Sequence, residues 1–294
     1  MTRTQARIGI IGLGKWGSKL LRVFASQANV AWCAARSQDL SWVSSQVPGV
    51  KTTHDLDEML SAQLDAIVIA TPIKQHYALA SKALKAQRHV FVEKPLSQTI
   101  HQAQGLWESA QKRNRILFTG HTFTFHPAFE KLESLLAHDP VECIRSEWDK
   151  LGSFEEPIFE NLIPHELSVA IRLFGKKPVR AFHFAQKKMF LSKDQLEISY
   201  AYSNHRYHFI RLNRMSPTPR RRMEIRTRSG AYYVWENDNL FLASSEQKKF
   251  ESIPLKKTEP LQRECAFFLD LLKSNDYKNP ALLLGVQVVE AMSL

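Results

Sequence analysis

The chain has 294 residues, 44% of them apolar and 23% charged, a length for two domains and a composition for ordinary hydrophobic cores. Eleven glycines and thirteen prolines without period exclude collagen-like and low-complexity classes. The three cysteines, Cys33, Cys143 and Cys265, are too scattered for a disulfide framework or a thiolate zinc site, and the net charge of +11, spread over both halves with no basic tail, leaves a nucleic acid or a small polyanion as the partner to be decided.

Arg7–Ile11 reads as a short apolar strand, and Lys15–Ala28 as a helix with Trp16, Leu20, Val23 and Phe24 at helical spacing. Val30–Ala35 is a second strand, followed by short helices at Asp39–Gln46 and Asp55–Ser61. Asp65–Ala70 has the composition of a strand buried on both faces. Ile73, Tyr77, Ala80 and Leu84 then mark one helix face. Val90–Glu93, Gln98–Arg113 and Arg115–Gly120 repeat the strand–helix–strand alternation, which requires parallel strands with helical crossovers.

Past residue 121 the rhythm changes. Helices are expected at Pro127–Leu136 and Pro164–Phe174, with a strand near Val141–Trp148. Long alternating segments follow at Val179–Gln186, Gln195–Tyr202, Arg206–Asn213, Arg222–Thr227 and Tyr232–Glu236, joined by short polar turns. Two helices, about Leu261–Lys273 and Leu282–Met292, end the chain. The expected fold is therefore α/β. An N-terminal doubly wound parallel sheet (1–120, dinucleotide-binding, Rossmann) precedes a C-terminal α+β domain with a large, mostly antiparallel sheet (121–294, substrate-binding and oligomerisation). The C-terminal helices are free to pack back on the first domain. The longest apolar stretches, such as Ala281–Val289, fall short of the ~20 residues that cross a bilayer. The N-terminus runs straight into a strand with no signal-peptide core, so a cytoplasmic protein without membrane attachment is expected.

Gly12-Leu13-Gly14-Lys15-Trp16-Gly17 places G-x-G-x-x-G directly after the first strand and at the start of the first helix. There the glycines serve a tight turn, close approach of the backbone to pyrophosphate, and close helix–strand packing. The helix N-terminus offers unpaired N–H groups and a positive dipole end. The second strand ends Cys33-Ala34-Ala35-Arg36-Ser37, without the acidic residue that accepts from the ribose of NAD. Arg36 and Ser37 can instead hold a 2′-phosphate, so NADP(H) is preferred and NAD(H) remains open.

Thr71-Pro72-Ile73-Lys74-Gln75-His76 and Val90-Phe91-Val92-Glu93-Lys94-Pro95-Leu96-Ser97, taken with the glycine loop, resemble the Gfo/Idh/MocA oxidoreductase family. The resemblance continues through Gly120–Pro127 and resumes at Pro260–Asp270. It implies that Lys94 lies beside the nicotinamide and the reacting oxygen of the substrate, that Glu93 contacts the nicotinamide ribose, that Thr71, Pro72 and His76 serve the cofactor, and that a cis bond precedes Pro95. A lysine at the carboxyl end of a parallel strand also lies where ligands bind in open α/β sheets, and an ammonium there can stabilise a developing alkoxide.

Family members often carry D-x-x-x-H-x-x-D on a helix of the second domain. The match here is Asn161-Leu162-Ile163-Pro164-His165-Glu166-Leu167-Ser168, with both carboxylates replaced. Pro164 suggests that the helix starts there and leaves Asn161 outside it. His165 then has three readings: the acid/base on the substrate hydroxyl, a substrate-binding group while Lys94 handles the proton, or a buried histidine in a protein without dehydrogenase activity. His121, Phe123 and His126 are further substrate-side candidates; many relatives have Tyr-Arg where this chain has Phe123-Thr124, and the form here looks like that of nucleotide-sugar dehydrogenases. Catalytic expectations therefore fall on Lys94 and His165. Those for the cofactor fall on Gly12, Gly14, Lys15, Trp16, Gly17, Arg36, Ser37, Thr71, Pro72, His76, Glu93 and Lys94. Those for substrate fall on His121, Phe123, His126, Asn161 and His165. No metal site is expected, since His165-Glu166-Leu167-Ser168-Val169 stops short of H-E-x-x-H.

Arg211, Arg214, Arg220, Arg221, Arg222, Arg226 and Arg228 are expected on a solvated strand face and loop. The aromatic strands, with Phe182, Phe184, Phe190, Tyr200, Tyr202, Tyr207 and Phe209, are expected to form a sheet face covered by a second subunit in a homodimer or homotetramer. The expected activity is hydride transfer between nicotinamide and a sugar-type alcohol or ketone, first an anionic nucleotide sugar. The alternatives are a reductase of a free sugar, polyol, other small ketone or imine, and a cofactor-binding regulator without catalysis; nucleic acid is not the expected partner.

Overall fold

The apolar segments of the first 120 residues pair into one parallel sheet in the computed structural model, which describes residues 5–35, 40–152, 156–188, 193–244 and 249–294. Its strands are β1 (Arg7–Ile11), β2 (Asn29–Ala34), β3 (Lys51–Thr53), β4 (Ala66–Ile69), β5 (His89–Glu93) and β6 (Leu117–Gly120). They lie in the order β3-β2-β1-β4-β5-β6, all parallel. The order reverses between β1 and β4, the switch point at which open α/β sheets bind ligands. The crossovers are α1 (Lys15–Gln27), α2 (Ser41–Gln46), α3 (Leu56–Ser61), α4 (Ile73–Lys85) and α5 (Ile100–Lys112). Two of them start on side-chain caps: Asp55 accepts from the Asp57 N–H ahead of α3, and Thr99 from the Gln102 N–H ahead of α5. The expected helix at Asp39–Gln46 begins at Ser41, its residue 39 lying outside the described residues. The three-residue β3 was not anticipated, because so short a piece has no readable period.

Two compact units divide the chain: Met1–His121 with Leu261–Val289, and Thr122–Pro260 with Glu290–Leu294. The second is thus not continuous in sequence. Helices α8 (Pro260–Ser274) and α9 (Leu284–Met292) explain the division. Phe268 of α8 meets Phe24, Phe91 and Phe118 at centroid distances of 6.2, 5.5 and 5.9 Å, and Val286 and Val289 join the apolar cluster built on β4 and β5. Of the run expected to be buried on both faces, Asp65–Ala70, the strand residues Ala66–Ile69 are buried, whereas Asp65 before the strand is exposed and Ala70 after it is half-buried.

The second unit contains α6 (Pro127–Leu135), β7 (Val141–Leu151), α7 (Ile158–Phe174), β8 (Arg180–Lys188), β9 (Lys193–Tyr202), β10 (Arg206–Asn213), β11 (Met215–Thr227), β12 (Tyr232–Glu236), β13 (Asn239–Ser244) and β14 (Lys249–Ile253). One eight-stranded sheet runs β14-β13-β12-β11-β7-β10-β9-β8, antiparallel except where β10 lies parallel to β7. Asn204 and His205 form the β9–β10 turn with φ of 66° and 55°, the left-handed pair that a two-residue hairpin requires. Helix α7 packs on one face against β7, β9 and β10. On the open face Phe182, Phe184, Tyr207 and Phe209 are 38–64% exposed, whereas Tyr200 and Tyr202 are buried; Phe190 lies outside the described residues. Among the described residues no helix is long and apolar enough to cross a membrane.

Two members of the arginine cluster, Arg214 and Arg221, depart from the expected solvated face, whereas Arg226 and Arg228 are exposed on it. Arg211 pairs with Glu147 and Asp149, Arg220 with Glu236, and Arg222 with Glu224 and Glu236. Arg214 and Arg221 are buried, 1% and 7% exposed, against Asp194 and Glu166. Alternation along β11 turns Arg221 inward between two half-exposed arginines, and each buried guanidinium needs a carboxylate because an unpaired buried charge is costly.

Candidate active site

The glycine loop is built at the carboxyl end of β1. Gly12 adopts φ +88° and its N–H donates to the Ala34 carbonyl at 2.9 Å, a backbone turn that suits glycine alone. A Cβ on Gly17 would lie 1.9 Å from the Gly12 oxygen, so α1 packs on the loop only without a side chain there. Gly14 differs: a Cβ on it would meet nothing within 4 Å. The fold does not require glycine at this position, whereas a pyrophosphate lying against the backbone does. Gly14 is also the N-cap of α1 and makes no side-chain cap bond, which leaves the first-turn N–H groups to a ligand.

A cleft of about 630 Å³ opens here, lined among others by Gly12, Gly14, Ala35, His54, Thr71 and Lys82. Its volume suits a cofactor-sized ligand. Thr71 Oγ1 is buried and has no hydrogen-bond partner among the described residues, a polar atom a ligand can satisfy. Pro72 lies on the same wall, while Lys15 and Trp16 occupy the exposed first turn of α1. Arg36 and Ser37 lie outside the described residues. His54, whose Nδ1 is 2.5 Å from the Ala35 carbonyl oxygen, belongs to this end of the cleft and carried no sequence signal.

The glycine pattern yields a paired expectation. Gly14→Val is expected to keep the thermal midpoint of the parent while weakening NADP(H) binding by roughly ten-fold or more, about 1.4 kcal/mol per decade. Gly17→Ala is expected to lower the midpoint itself. Calorimetry with a cofactor titration checks both; a Gly14→Val protein that binds cofactor normally contradicts the assignment.

At the end of β5, Glu93 is buried and accepts a hydrogen bond from the Trp16 indole N–H, joining the glycine loop to the Glu-Lys-Pro segment. Burial pushes its carboxyl up to about 7, against the opposing pull of the Trp16 bond and the Lys94 charge. Lys94 is half-buried and the Lys94–Pro95 bond is cis. His121 is 2% exposed; burial and the nearby charge of Lys94 lower it to about 3, so it is neutral throughout the physiological range. His76 is 1% exposed, with Nδ1 2.8 Å from the Pro95 carbonyl and Nε2 2.8 Å from the Thr71 carbonyl. Its ring ties the loop after β4 to the loop after β5.

In the second unit, α7 overturns one expectation. The helix begins at Ile158 and runs through Pro164, so Asn161 lies inside it, its N–H donating to Pro157 O at 3.1 Å. A proline within a helix forfeits one backbone bond, a cost of ~3 kcal/mol. The burial of Leu162, Ile163, Leu167, Val169, Ala170 and Ile171 around it offsets that cost. Asn161 and His165, four apart, therefore share one helix face. Ser168 spends its hydroxyl on the His165 carbonyl at 2.9 Å. The His165 ring is half-buried against Phe123, at 5.2 Å and nearly perpendicular, and Trp148, at 5.6 Å.

His126 has a different use. Its Nδ1 accepts from the Ala128 N–H as the N-cap of α6, and its Nε2 lies 3.2 Å from Asp238. Both ring nitrogens are thus engaged in holding the start of that helix. Glu166 turns away from His165 and accepts from Arg221 Nε at 2.8 Å. Trp148 and Trp235 carry no sequence signal, and Arg221 is expected on a solvated face, because their approach to His165 and Phe123 is long-range.

Residues 6–121 match the model of an oxidoreductase family with an NAD-binding Rossmann fold. The chain is similar to UDP-N-acetylglucosamine 3-dehydrogenase of Acidithiobacillus ferrooxidans, 28% identical over 175 residues, 59% of this chain and 56% of that protein. It is similar to myo-inositol 2-dehydrogenase of Thermotoga maritima, 29% identical over 139 residues, 46% of this chain and 42% of that protein. The chain spans about half the length of these curated relatives. A solved structure of the Acidithiobacillus ferrooxidans UDP-N-acetylglucosamine 3-dehydrogenase superposes with a TM-score of 0.89 at 23% identity, over 98% of this chain and 96% of that one, a likeness of fold.

Proposed function

Residues 6–121 of this chain belong to the Gfo/Idh/MocA oxidoreductase family with its NAD-binding Rossmann fold, and from that premise we propose that the protein is an NAD(P)-dependent oxidoreductase acting on a sugar-type alcohol or ketone, an anionic nucleotide sugar. The observation that carries the reading is the cleft at the β1/β4 switch point, with Gly14 open to a ligand and the Glu93-Lys94-Pro95 segment at the end of β5. When bound, the nicotinamide supplies the hydride donor or acceptor. Gly12, Gly14 and the α1 N-terminus hold the pyrophosphate, Arg36 and Ser37 the 2′-phosphate of NADP(H), and Glu93 the ribose. Lys94 places an ammonium at the reacting oxygen and stabilises its negative charge. His165 gives or takes the hydroxyl proton, and Asn161, on the same helix face, orients it. Phe123 and Trp148 offer ring surface to the apolar face of a sugar, and the chain's net charge of +11 favours an anionic substrate. A second copy of the chain covers the exposed Phe182, Phe184, Tyr207 and Phe209.

The test follows nicotinamide absorbance with NADP(H) and NAD(H) against UDP-sugars and free sugars, with and without UDP. Turnover of a UDP-sugar that UDP suppresses is the expected result. Turnover of free sugars or polyols that UDP leaves unchanged replaces the nucleotide sugar with the alternative substrate. Tight cofactor binding with no turnover across the panel favours the regulator.

A further inference from the structure

The run Arg220-Arg221-Arg222 has a middle member unlike its neighbours. Arg221 points inward from β11 beside the buried Met223 and Ile225, and is 7% exposed. Its Nε donates at 2.8 Å to Glu166, the residue after His165, which is fully buried. Three rings surround the guanidinium: its central carbon lies 4.1 Å from the Phe123 centroid, 4.5 Å from Trp235 and 5.4 Å from Trp148. All three are within the range of cation–π attraction, which strengthens when the cation is removed from water. Two of these rings, Phe123 and Trp148, are the ones that pack on His165. Cation and imidazole thus share two ring neighbours, and the cation is anchored by the peptide neighbour of the imidazole. His208 on β10, beside them, is held neutral at about 3 by burial and by the Arg221 charge, and donates to or accepts from Ser146 at 2.8 Å.

We propose that Arg221 is a positioning residue for His165, acting through the rings of Phe123 and Trp148, which meet edge to face, with Glu166 as the buried counter-ion that keeps it there. The mechanical reason is that α7 alone fixes the Cα of His165 but leaves χ1 and χ2 of its side chain to the surroundings. The rings supply those surroundings, and they are themselves held by a planar cation that lysine could not imitate. Aromatic packing thus does part of what a carboxylate partner does by hydrogen bonding in a histidine-based site. The catalytic consequence rests on the reading of His165 given under Proposed function; the positioning itself does not.

The test removes both charges together, Arg221→Met with Glu166→Leu, since a buried pair replaced whole by apolar residues is tolerated far better than one half of it. The reference is Arg214→Met with Asp194→Leu, which removes a second buried pair among the described residues of the same unit, Nε to Oδ1 3.0 Å. The readout is the NMR ring resonances of His165, assigned by their loss in His165→Asn. The expected result is a displacement of these resonances in the Arg221/Glu166 variant and none in the Arg214/Asp194 variant. In an active preparation, kcat falls by at least ten-fold while the Kd for NADP(H) is unchanged. Phe123→Leu, which removes the intervening ring, is expected to displace the same resonances and serves if the double variant does not fold. Unmoved His165 resonances, or equal displacement by the reference pair, overturn the proposal. Displacement in a protein with no turnover on any substrate upholds the positioning and counts against the enzymatic reading alone.

Discussion

Lys94→Ala is expected to lower kcat by roughly 10²–10³-fold, the loss seen when one preorganised donor to a developing oxyanion is removed. Three local features support that size. Lys94 is half-buried, so its charge is poorly screened. It sits between a buried carboxyl, Glu93, and a buried neutral imidazole, His121, and no second cation is needed to explain the lowering of His121. The backbone that carries it is tied by His76 through the Pro95 carbonyl at 2.8 Å, so the ammonium is presented from a fixed loop. Lys94→Arg keeps the charge but replaces a compact ammonium by a broad planar group, and most of the loss is expected to remain. Cofactor affinity and the thermal midpoint should change little in either variant. Steady-state kinetics with a parallel cofactor titration decide the matter; a fall confined to KM would show uniform binding and no alkoxide stabilisation.

His165→Ala carries the second large effect, a decrease in kcat of ~10²–10⁴-fold if the imidazole moves the substrate proton. The three readings of this residue separate in the same experiment. A lost kcat with a modest change in KM identifies the acid/base. A raised KM at constant kcat identifies a binding group, with Lys94 left to handle the proton. An unchanged enzyme identifies a packing histidine. Asn161 lies one helical turn before His165 on the same face, and the ring is half-buried against Phe123 and Trp148.

Much of the first unit was legible because its signals are local. The buried run Ala66–Ile69, the glycine pattern after β1 and the helix face of Ile73, Tyr77, Ala80 and Leu84 each lie within one element or turn. In the second unit β10 falls at Arg206–Asn213, where alternation put it. Other features depend on partners far along the chain. Glu166 and Arg221 are 55 residues apart, and nothing in either segment marks the pair as buried. The strands β13 and β14 pair with each other and β12 at one end of the sheet, where alternation is weak. Pro164 marks a helix start by a local rule, which the burial of α7 overrides. His126 as an N-cap was hidden because histidine is not among the residues that usually cap helices.

The most direct test of the hydride-transfer account compares wild type and Lys94→Ala at equal, saturating NADPH by following nicotinamide absorbance on a UDP-sugar panel. The account predicts turnover by wild type on at least one UDP-sugar and its loss, roughly 10²-fold or more, in the variant. Equal turnover by the two proteins, both shown to bind NADPH, would contradict it.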